Sequence, residues 1–343
     1  MRTVRQWAWT VSLGSAGIGW ARLSGGDRVI RSVQPQEGAS PVRESLQRYM
    51  RVGIVHFMAY PETLTGEGPI VETIRRIAED EFFSAVEVTT IKDPKAREAV
   101  ARILEENRLA VGFGAQPILL TRKLNLNAFE PAERAKAVQA VKEAAEEAYT
   151  LGAGALALLS GPDPRERRDE AMRLLIQSLT EICAYVRSTG NLRVLLETFD
   201  QKVDKRCLIG PTSDAVKVAA EVRKVDRTFG LLLDLSHLPL QGETSKEALQ
   251  GAKDYLAHVH IGNCVTKPGH PAYGDQHPRF GLEGSENDVP QVVEFLRGLF
   301  QIGYLGEGKR PIVAFEVKPL PGESSETVIA GSKRTLVEAW SLL

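Results

Sequence analysis

The chain has 343 residues, of which 43% are hydrophobic and 25% are charged, as is ordinary for a soluble globular protein. At about 150 residues per domain the length suggests two domains, although an α/β barrel of this size can be a single domain. The formal net charge is -1, because 43 Lys and Arg stand against 44 Asp and Glu. This balance argues against a dedicated nucleic-acid-binding protein, which usually carries an excess of basic residues.

The cysteine content gives a second constraint. Cys183, Cys207 and Cys264 are too few and too far apart for a disulfide framework or a Cys-type zinc site. We therefore predict a protein of the reducing cytoplasm.

The first fifty residues differ in composition from the rest, with seven Arg and no Lys. The segment Trp7–Ala21 is moderately apolar, as in a secretory signal, but Gly and Ser interrupt it and no clear cleavage site follows. It is also too short for a transmembrane helix. We predict a flexible leader over residues 1–50, disordered or not native, and one folded domain over residues 51–343.

From residue 51 onward, short apolar or β-branched runs alternate with segments of helical periodicity. The predicted strands, in chain order, are Val52–Phe57, Ala85–Thr90, Ala110–Ala115, Ala155–Ser160, Arg193–Thr198, Phe229–Asp234, Ala257–Ile261 and Ile312–Val317. The predicted helices lie near residues 69–81, 95–107, 130–151, 164–189, 213–225, 245–254, 288–303 and 324–342. Helix 130–151 is the clearest, because Pro131 stands near its start and Gly152 follows its end.

Eight strands that alternate with eight helices are the count of a (β/α)8 barrel. We therefore predict an α/β fold, a single-domain (β/α)8 TIM barrel. The alternative is a doubly wound open sheet, which would favour a Gly-rich phosphate turn after its first strand. The sequence there reads MAYPETLTGEG and contains no such turn.

In a barrel of this kind, active-site residues lie at the C-terminal ends of the strands. Strands five to eight read RVLLETFD, GLLLDLSH, AHVHIGN and IVAFEV, and they carry there Glu197, Asp234, the pair His258 and His260, and Glu316. Three carboxylates at one barrel mouth are costly through desolvation and mutual repulsion unless a cation compensates them. Oxygen and nitrogen ligands of this kind suit a hard or borderline divalent ion such as Mn²⁺ or Mg²⁺.

The segments LLETFD, LLLDLSH, HVHIGN and AFEV resemble the sugar isomerase/epimerase barrels of the xylose-isomerase-like superfamily, which also contains metal-dependent AP endonucleases. The resemblance implies a divalent metal ion, Mn²⁺ first, with Mg²⁺, Co²⁺ or Zn²⁺ as alternatives. Matched residue by residue, the implied ligands are Glu197, Asp234, His260 and Glu316.

The same resemblance assigns two further histidines and contains one departure. His258 is expected one layer deeper on its strand, and His237 is expected to contact the substrate, or a metal in the endonuclease branch. Val203 stands where the epimerases carry a further Glu, so the far end of the substrate is expected to be bound differently.

The connection Gly262–Asn287 is long for a barrel loop, which is typical of lids and binding loops. Asp275 and His277 in this loop match the D-x-H pair that helps to bind additional zinc in the endonuclease branch. The alternative is that they only cap nearby backbone. We predict that they bind substrate, together with Lys318, which shares a strand face with Glu316.

The residue set predicts a metal-dependent isomerase or epimerase of sugars or sugar phosphates. It would act by proton transfer through an enediolate, with Glu197 and Glu316 as the catalytic carboxylates. A single carboxylate can move the proton between adjacent carbons, or two can act from opposite faces, and the sequence leaves both open.

Three alternatives stand beside this prediction: a polyol dehydratase, a zinc phosphodiesterase of the AP endonuclease type, and a sugar-binding barrel without activity. The phosphodiesterase would need His ligands at the ends of strands two to four, where the sequence has none. We expect a carbohydrate substrate, no nucleic-acid or membrane partner, and leave open whether the chain forms a homo-oligomer.

Overall fold

The structure, a computed structural model, describes residues 44–343 of the chain. Its parallel strands are β1 (Arg51–Ile54), β2 (Ala85–Val88), β3 (Ala110–Gly114), β4 (Ala155–Leu159), β5 (Arg193–Glu197), β6 (Gly230–Asp234), β7 (Leu256–Gly262) and β8 (Ile312–Glu316). They form one eight-stranded sheet in the order β1-β8-β7-β6-β5-β4-β3-β2. A parallel bridge between Val55 and Glu87 joins β2 to the end of β1 and nearly closes the barrel. The predicted (β/α)8 barrel is thereby confirmed.

Helices surround the sheet and follow its strands. They are α1 (His56–Ala59), α2 (Ile70–Ala78), α3 (Pro94–Glu106), α4 (Gln116–Thr121), α5 (Pro131–Thr150), α6 (Arg168–Thr189), α7 (Thr212–Val222), α8 (His237–Gln241), α9 (Ser245–Ala252), α10 (Val289–Gln301) and α11 (Ser325–Ser341). Among the described helices, none is both long enough and apolar enough to cross a bilayer.

The first predicted strand is too long at its C-terminal end. It was expected to reach Phe57, but β1 ends at Ile54 and the chain turns into α1 at His56. The run VHFMAY is apolar except for His56, and a short buried apolar run does not distinguish a strand from a helix by periodicity. The turn brings Phe57 and Met58 over the barrel mouth, where both line a cavity.

The barrel interior has its own small apolar cluster below the strand ends. Ala157, Leu195 and Leu232 pack together there, separate from the larger core between sheet and helices. Leu195 and Leu232 precede Glu197 and Asp234 by two residues, so each pair lies on the same strand face. The polar residues at the strand ends therefore lie directly above a layer of packed apolar side chains in the barrel interior.

Residues 44–50, which the sequence-based boundary assigns to the leader, pack against the barrel. Leu46 and Met50 are buried, and the Tyr49 ring lies 5.5 Å from those of Phe300 and Trp340. The Trp340 indole donates a hydrogen bond of 2.8 Å to the backbone oxygen of Glu44. The rest of the predicted leader, residues 1–43, lies outside the described residues.

Candidate metal centre and active site

The structure brings four of the predicted residues together at the barrel mouth. Each offers one ligand atom, and these atoms lie within 4.8 Å of one another: Glu197, Asp234, His260 and Glu316. They stand on β5, β6, β7 and β8 and are all buried. Asp234 is paired in register with His260, and Glu316 with Gly262. A Cβ on Gly262 would approach the backbone oxygen of Glu316 to 2.6 Å, so only glycine fits between these ligands.

Two carboxylate oxygens at the centre of this cluster fit a metal ion. Glu197 Oε1 and Asp234 Oδ2 are buried and have no hydrogen-bond donor among the described residues. They lie 3.7 and 3.8 Å from His260 Nδ1, whereas Glu316 Oε2 lies 2.6 Å from it. Buried charged oxygens without a partner are costly, and divalent cations bind such oxygen and imidazole ligands. The cluster can therefore hold a divalent ion.

The outer oxygens of two carboxylates are held by hydrogen bonds. Gln116 Nε2 donates to Glu197 Oε2 at 2.6 Å, and the backbone N–H of Ser236 donates to Asp234 Oδ1 at 2.6 Å. These bonds orient each carboxylate so that its other oxygen faces the centre of the cluster.

The carboxylates of the cluster favour a positive charge among them, as the pKa shifts of its members indicate. Burial raises the pKa of Asp234 to about 6. Burial alone would also raise the pKa of Glu316, but the imidazoles of His277 and His260 outweigh it and the net shift is downward. The pKa of His260 is raised well above its usual value, since the carboxylates of Glu87 and Glu316 outweigh the opposing effect of burial.

A second group of predicted residues lies beside the first. Asp275 Oδ1 lies 3.1 Å from His237 Nε2 and 2.7 Å from His277 Nε2. These contacts are ion pairs, because their geometry is not that of a hydrogen bond. The His237 Nδ1–H donates to the backbone oxygen of Thr198 at 2.8 Å. The other oxygen of Asp275 lies 2.9 Å from Lys205 Nζ, which brings a positive charge of the chain itself to this carboxylate.

The sequence and fold of the chain can now be compared with those of known proteins. A sequence profile of the xylose isomerase-like TIM barrel, the family described as AP endonuclease 2, matches residues 75–324. The chain belongs to this family. The predicted resemblance is thereby confirmed, whereas comparison with curated proteins gives no significant match.

Solved structures of the same fold include epimerases and an endonuclease. A D-tagatose 3-epimerase-like protein is 19% identical with a TM-score of 0.64, over 84% of this chain and 98% of its own. The IOLI protein with a bound zinc atom is 16% identical with a TM-score of 0.65, over 85% and 98%. An AP endonuclease of family 2 from Brucella melitensis is 19% identical with a TM-score of 0.58, over 82% and 96%. At these identities the likeness concerns the fold.

As in other barrels of the family's fold, a cavity opens above the strand ends. It has a volume of about 190 Å³ and reaches Glu197, His260 and Glu316. Apolar side chains form part of its wall, among them Phe57, Met58, Leu64, Leu120 and Phe199. Its size and mixed lining suit a small polar molecule with one apolar face.

The predicted substrate-binding residues are placed differently around this cavity. Asp275, His277 and Lys318 line it, and the backbone N–H of Lys318 donates to the His277 carbonyl at 2.7 Å. His237 is fully buried and contacts the cavity lining through Asp275 and Phe199.

Two polar residues of the site, Gln116 and Glu87, were not predicted from the sequence. Gln116 directly follows the third predicted strand. Only His was considered as a ligand at that strand end, so the amide was assigned no role. Glu87 lies inside β2, on the inward face that it shares with Ala85 and Thr89. A lone acid within an otherwise apolar strand was the signal that could have found it.

Proposed function

We propose that the protein is a metal-dependent isomerase or epimerase that acts on a sugar or sugar phosphate. The observation that carries the proposal is the cluster of Glu197, Asp234, His260 and Glu316. Two of its buried carboxylate oxygens have no hydrogen-bond donor within residues 44–343. The epimerase-like relative of the same fold supports it. The cytoplasmic location and the carbohydrate partner stay predictions.

These four residues would hold the ion, Mn²⁺ first, with Mg²⁺, Co²⁺ or Zn²⁺ as alternatives. When bound, a divalent ion supplies Lewis-acid stabilisation of negative charge on substrate oxygens. Glu197 and Glu316 line the cavity from β5 and β8, so two carboxylates face a bound molecule from different strands.

The carboxylates would move the proton of the carbon next to the carbonyl group. In an epimerase, one of them removes the proton and the other returns one to the opposite face. In an isomerase, a single carboxylate removes the proton and returns it to the adjacent carbon. The hydrogen bond from Gln116 to Glu197 Oε2 fixes the orientation of this carboxylate at the cavity.

Residues of the β7 and β8 loops would hold the rest of the substrate. Asp275 and His277 present polar groups to the cavity, and Lys318 presents an ammonium group that suits a hydroxyl or a phosphate. Phe57 and Phe199 would cover the apolar face of the sugar ring, which also limits the access of water to the reacting carbon.

The residues at the ends of β2 to β4 give little support to the phosphodiesterase alternative. The Thr89 hydroxyl donates to the backbone oxygen of Gly114 at 2.7 Å, and Gln116 is bonded to Glu197. Ser160 accepts a hydrogen bond from the backbone N–H of Ile209 at 2.9 Å. These side chains are engaged within the protein, and none of them is an imidazole.

Isotope exchange tests the proposal. The Mn²⁺-loaded protein is incubated in D₂O with a panel of ketoses, aldoses and their phosphates, and products are followed by NMR. We expect one substrate to exchange the proton next to its carbonyl as its isomer or epimer forms, and Glu197→Gln to stop this exchange. Asp226→Asn, a buried carboxylate outside the site, is the control.

Other outcomes would replace the proposal. Cleavage of abasic DNA without sugar conversion would support the phosphodiesterase, and loss of water from a cyclic polyol would support the dehydratase. Binding of a sugar without any turnover would support the sugar-binding barrel.

A further inference from the structure

Glu87 lies directly behind the candidate ligand His260. Its Oε1 and Oε2 are 3.0 and 3.1 Å from His260 Nε2, and Oε1 is also 2.7 Å from His258 Nε2. On the other side of the His260 ring, Nδ1 faces the three carboxylates of the ligand cluster. The two ring nitrogens of His260 therefore serve two separate groups of acids.

This arrangement determines which nitrogen is available as a ligand. A neutral imidazole carries one N–H and one lone pair, and an ionised carboxylate only accepts hydrogen bonds. Nδ1 can donate to Glu316 Oε2 at 2.6 Å, and a bound metal ion would take the place of that hydrogen. With Glu87 as its acceptor, Nε2 keeps its hydrogen, so the lone pair toward the ion is left on Nδ1. We propose that Glu87 is a positioning residue that fixes His260 in this tautomer and orientation for binding the metal ion. The inference rests on the proposed metal site.

The neighbours of Glu87 hold its carboxylate in place. Gly112 is paired with Glu87 in the β2–β3 register, and a Cβ there would lie 2.9 Å from Glu87 Cγ. Because Gly112 has no side chain, it leaves room for the Glu87 side chain to pass over it. His258 holds the carboxylate from below, with its ring 5.1 Å from that of His260 and at 89° to it.

The inference explains two buried polar residues to which the proposed chemistry gives no task. Glu87 and His258 are 3% and 5% exposed, and a buried carboxylate is costly unless it is paired and hydrogen-bonded. Their contacts lead to His260 and to no other member of the ligand cluster. Carboxylates behind a metal-binding histidine orient the ring and raise its basicity, and their loss typically weakens metal binding about 10–100-fold.

The Mn²⁺ dissociation constant of the full chain tests this role without requiring a substrate. We expect Glu87→Ala to weaken Mn²⁺ binding about 10–100-fold, and Glu87→Gln to weaken it less, because the amide oxygen can still accept from Nε2. Gly112→Ala should act in the same direction, since it displaces the Glu87 side chain and keeps its charge. Asp226→Asn is the control and should leave the affinity unchanged.

NMR of the histidine rings in the Zn²⁺-loaded full chain gives an independent readout. In the unmodified protein we expect the hydrogen of His260 on Nε2, and in Glu87→Ala a faster exchange of this hydrogen with water. Unchanged affinity in Glu87→Ala and Gly112→Ala, or a hydrogen on Nδ1 of His260 in the unmodified protein, would overturn the positioning role alone. Absence of Mn²⁺ binding by the unmodified protein would overturn the proposed function as well.

Discussion

At the scale of single residues, Glu316 has two oxygens with different surroundings. Oε2 lies 2.6 Å from His260 Nδ1 within the ligand cluster, whereas Oε1 lies 3.6 Å from His277 Nε2 at the cavity wall. Glu316→Gln keeps an oxygen for coordination but removes the base. We expect it to retain much of its metal and to lose turnover by a factor of about 10²–10⁴, measured as substrate conversion and metal content.

Glu323→Gln, a change of the same kind in the loop after β8, should have little effect on turnover, because Glu323 pairs with Arg279. If a true substrate is converted without solvent exchange and Glu316→Gln remains active, proton transfer through Glu316 is the wrong mechanism. A hydride shift would then be the better explanation.

His237 should affect the substrate complex through Asp275, not the metal ion. The ring lies 3.1 Å from Asp275 Oδ1 and packs on Phe199, with ring centroids 4.4 Å apart. We expect His237→Ala to retain the metal and a measurable rate but to raise KM about tenfold, which corresponds to ~1.4 kcal/mol. Metal content and steady-state kinetics measure the two effects, and loss of metal with unchanged KM would show that His237 is a ligand.

His56 should make the fold sensitive to acid. Burial lowers its pKa to about 3, and its Nε2 lies 2.7 Å from the Thr73 hydroxyl. Because the unfolded chain binds the proton near pH 6.5 and the folded protein does not, this contribution to stability is present above that pH and is lost as the pH falls toward 3. The loss should be about 1.4 kcal/mol per pH unit, or roughly 2 kcal/mol between pH 6.5 and 5.

Urea denaturation of the protein and of His56→Gln at pH 7 and pH 5 measures this term. The variant should be less stable at pH 7 but should lose less stability on acidification. Equal losses in the two proteins would show that His56 contributes nothing to the acid sensitivity.

At the scale of secondary-structure elements, residues 44–49 should contribute to the stability of the barrel. They contain the buried Leu46 and the backbone oxygen that accepts from the Trp340 indole. We compare shortened chains that begin at Arg43 and at Met50, and expect the second to be less stable by about 2–4 kcal/mol in urea denaturation. Equal stability of the two chains would show that the segment is dispensable, as the sequence-based boundary predicts.

The strands were predictable and three short helices were not. Each strand is a mainly apolar run bounded by polar or Gly residues, so all eight were found. Helices α1, α4 and α8 have six residues or fewer, which is too short for a helical period to be recognised. They follow β1, β3 and β6 directly, and α4 and α8 begin at two polar residues of the site, Gln116 and His237.

At the scale of the whole molecule, the barrel determines which polar residues meet. Residues at the C-terminal strand ends converge whatever their separation in sequence, so Glu197 and Glu316 could be predicted to lie close together. The contacts of Glu87 could not, because it lies within a strand and its partners are distant in sequence. The ion pair between Lys205 and Asp275 was equally hidden, since it joins two loops whose paths depend on tertiary packing.

The central claim is that one divalent ion binds at the ends of β5 to β8, and the number of Mn²⁺ ions bound per chain tests it most directly. We expect one tightly bound Mn²⁺ in the unmodified protein and in Asp226→Asn, and none in Asp234→Asn. The second variant loses the charge of a carboxylate whose Oδ2 has no donor in the part of the chain that the structure describes. Absence of Mn²⁺ binding by the unmodified protein, or equally tight binding by Asp234→Asn, would contradict a metal site at these strand ends.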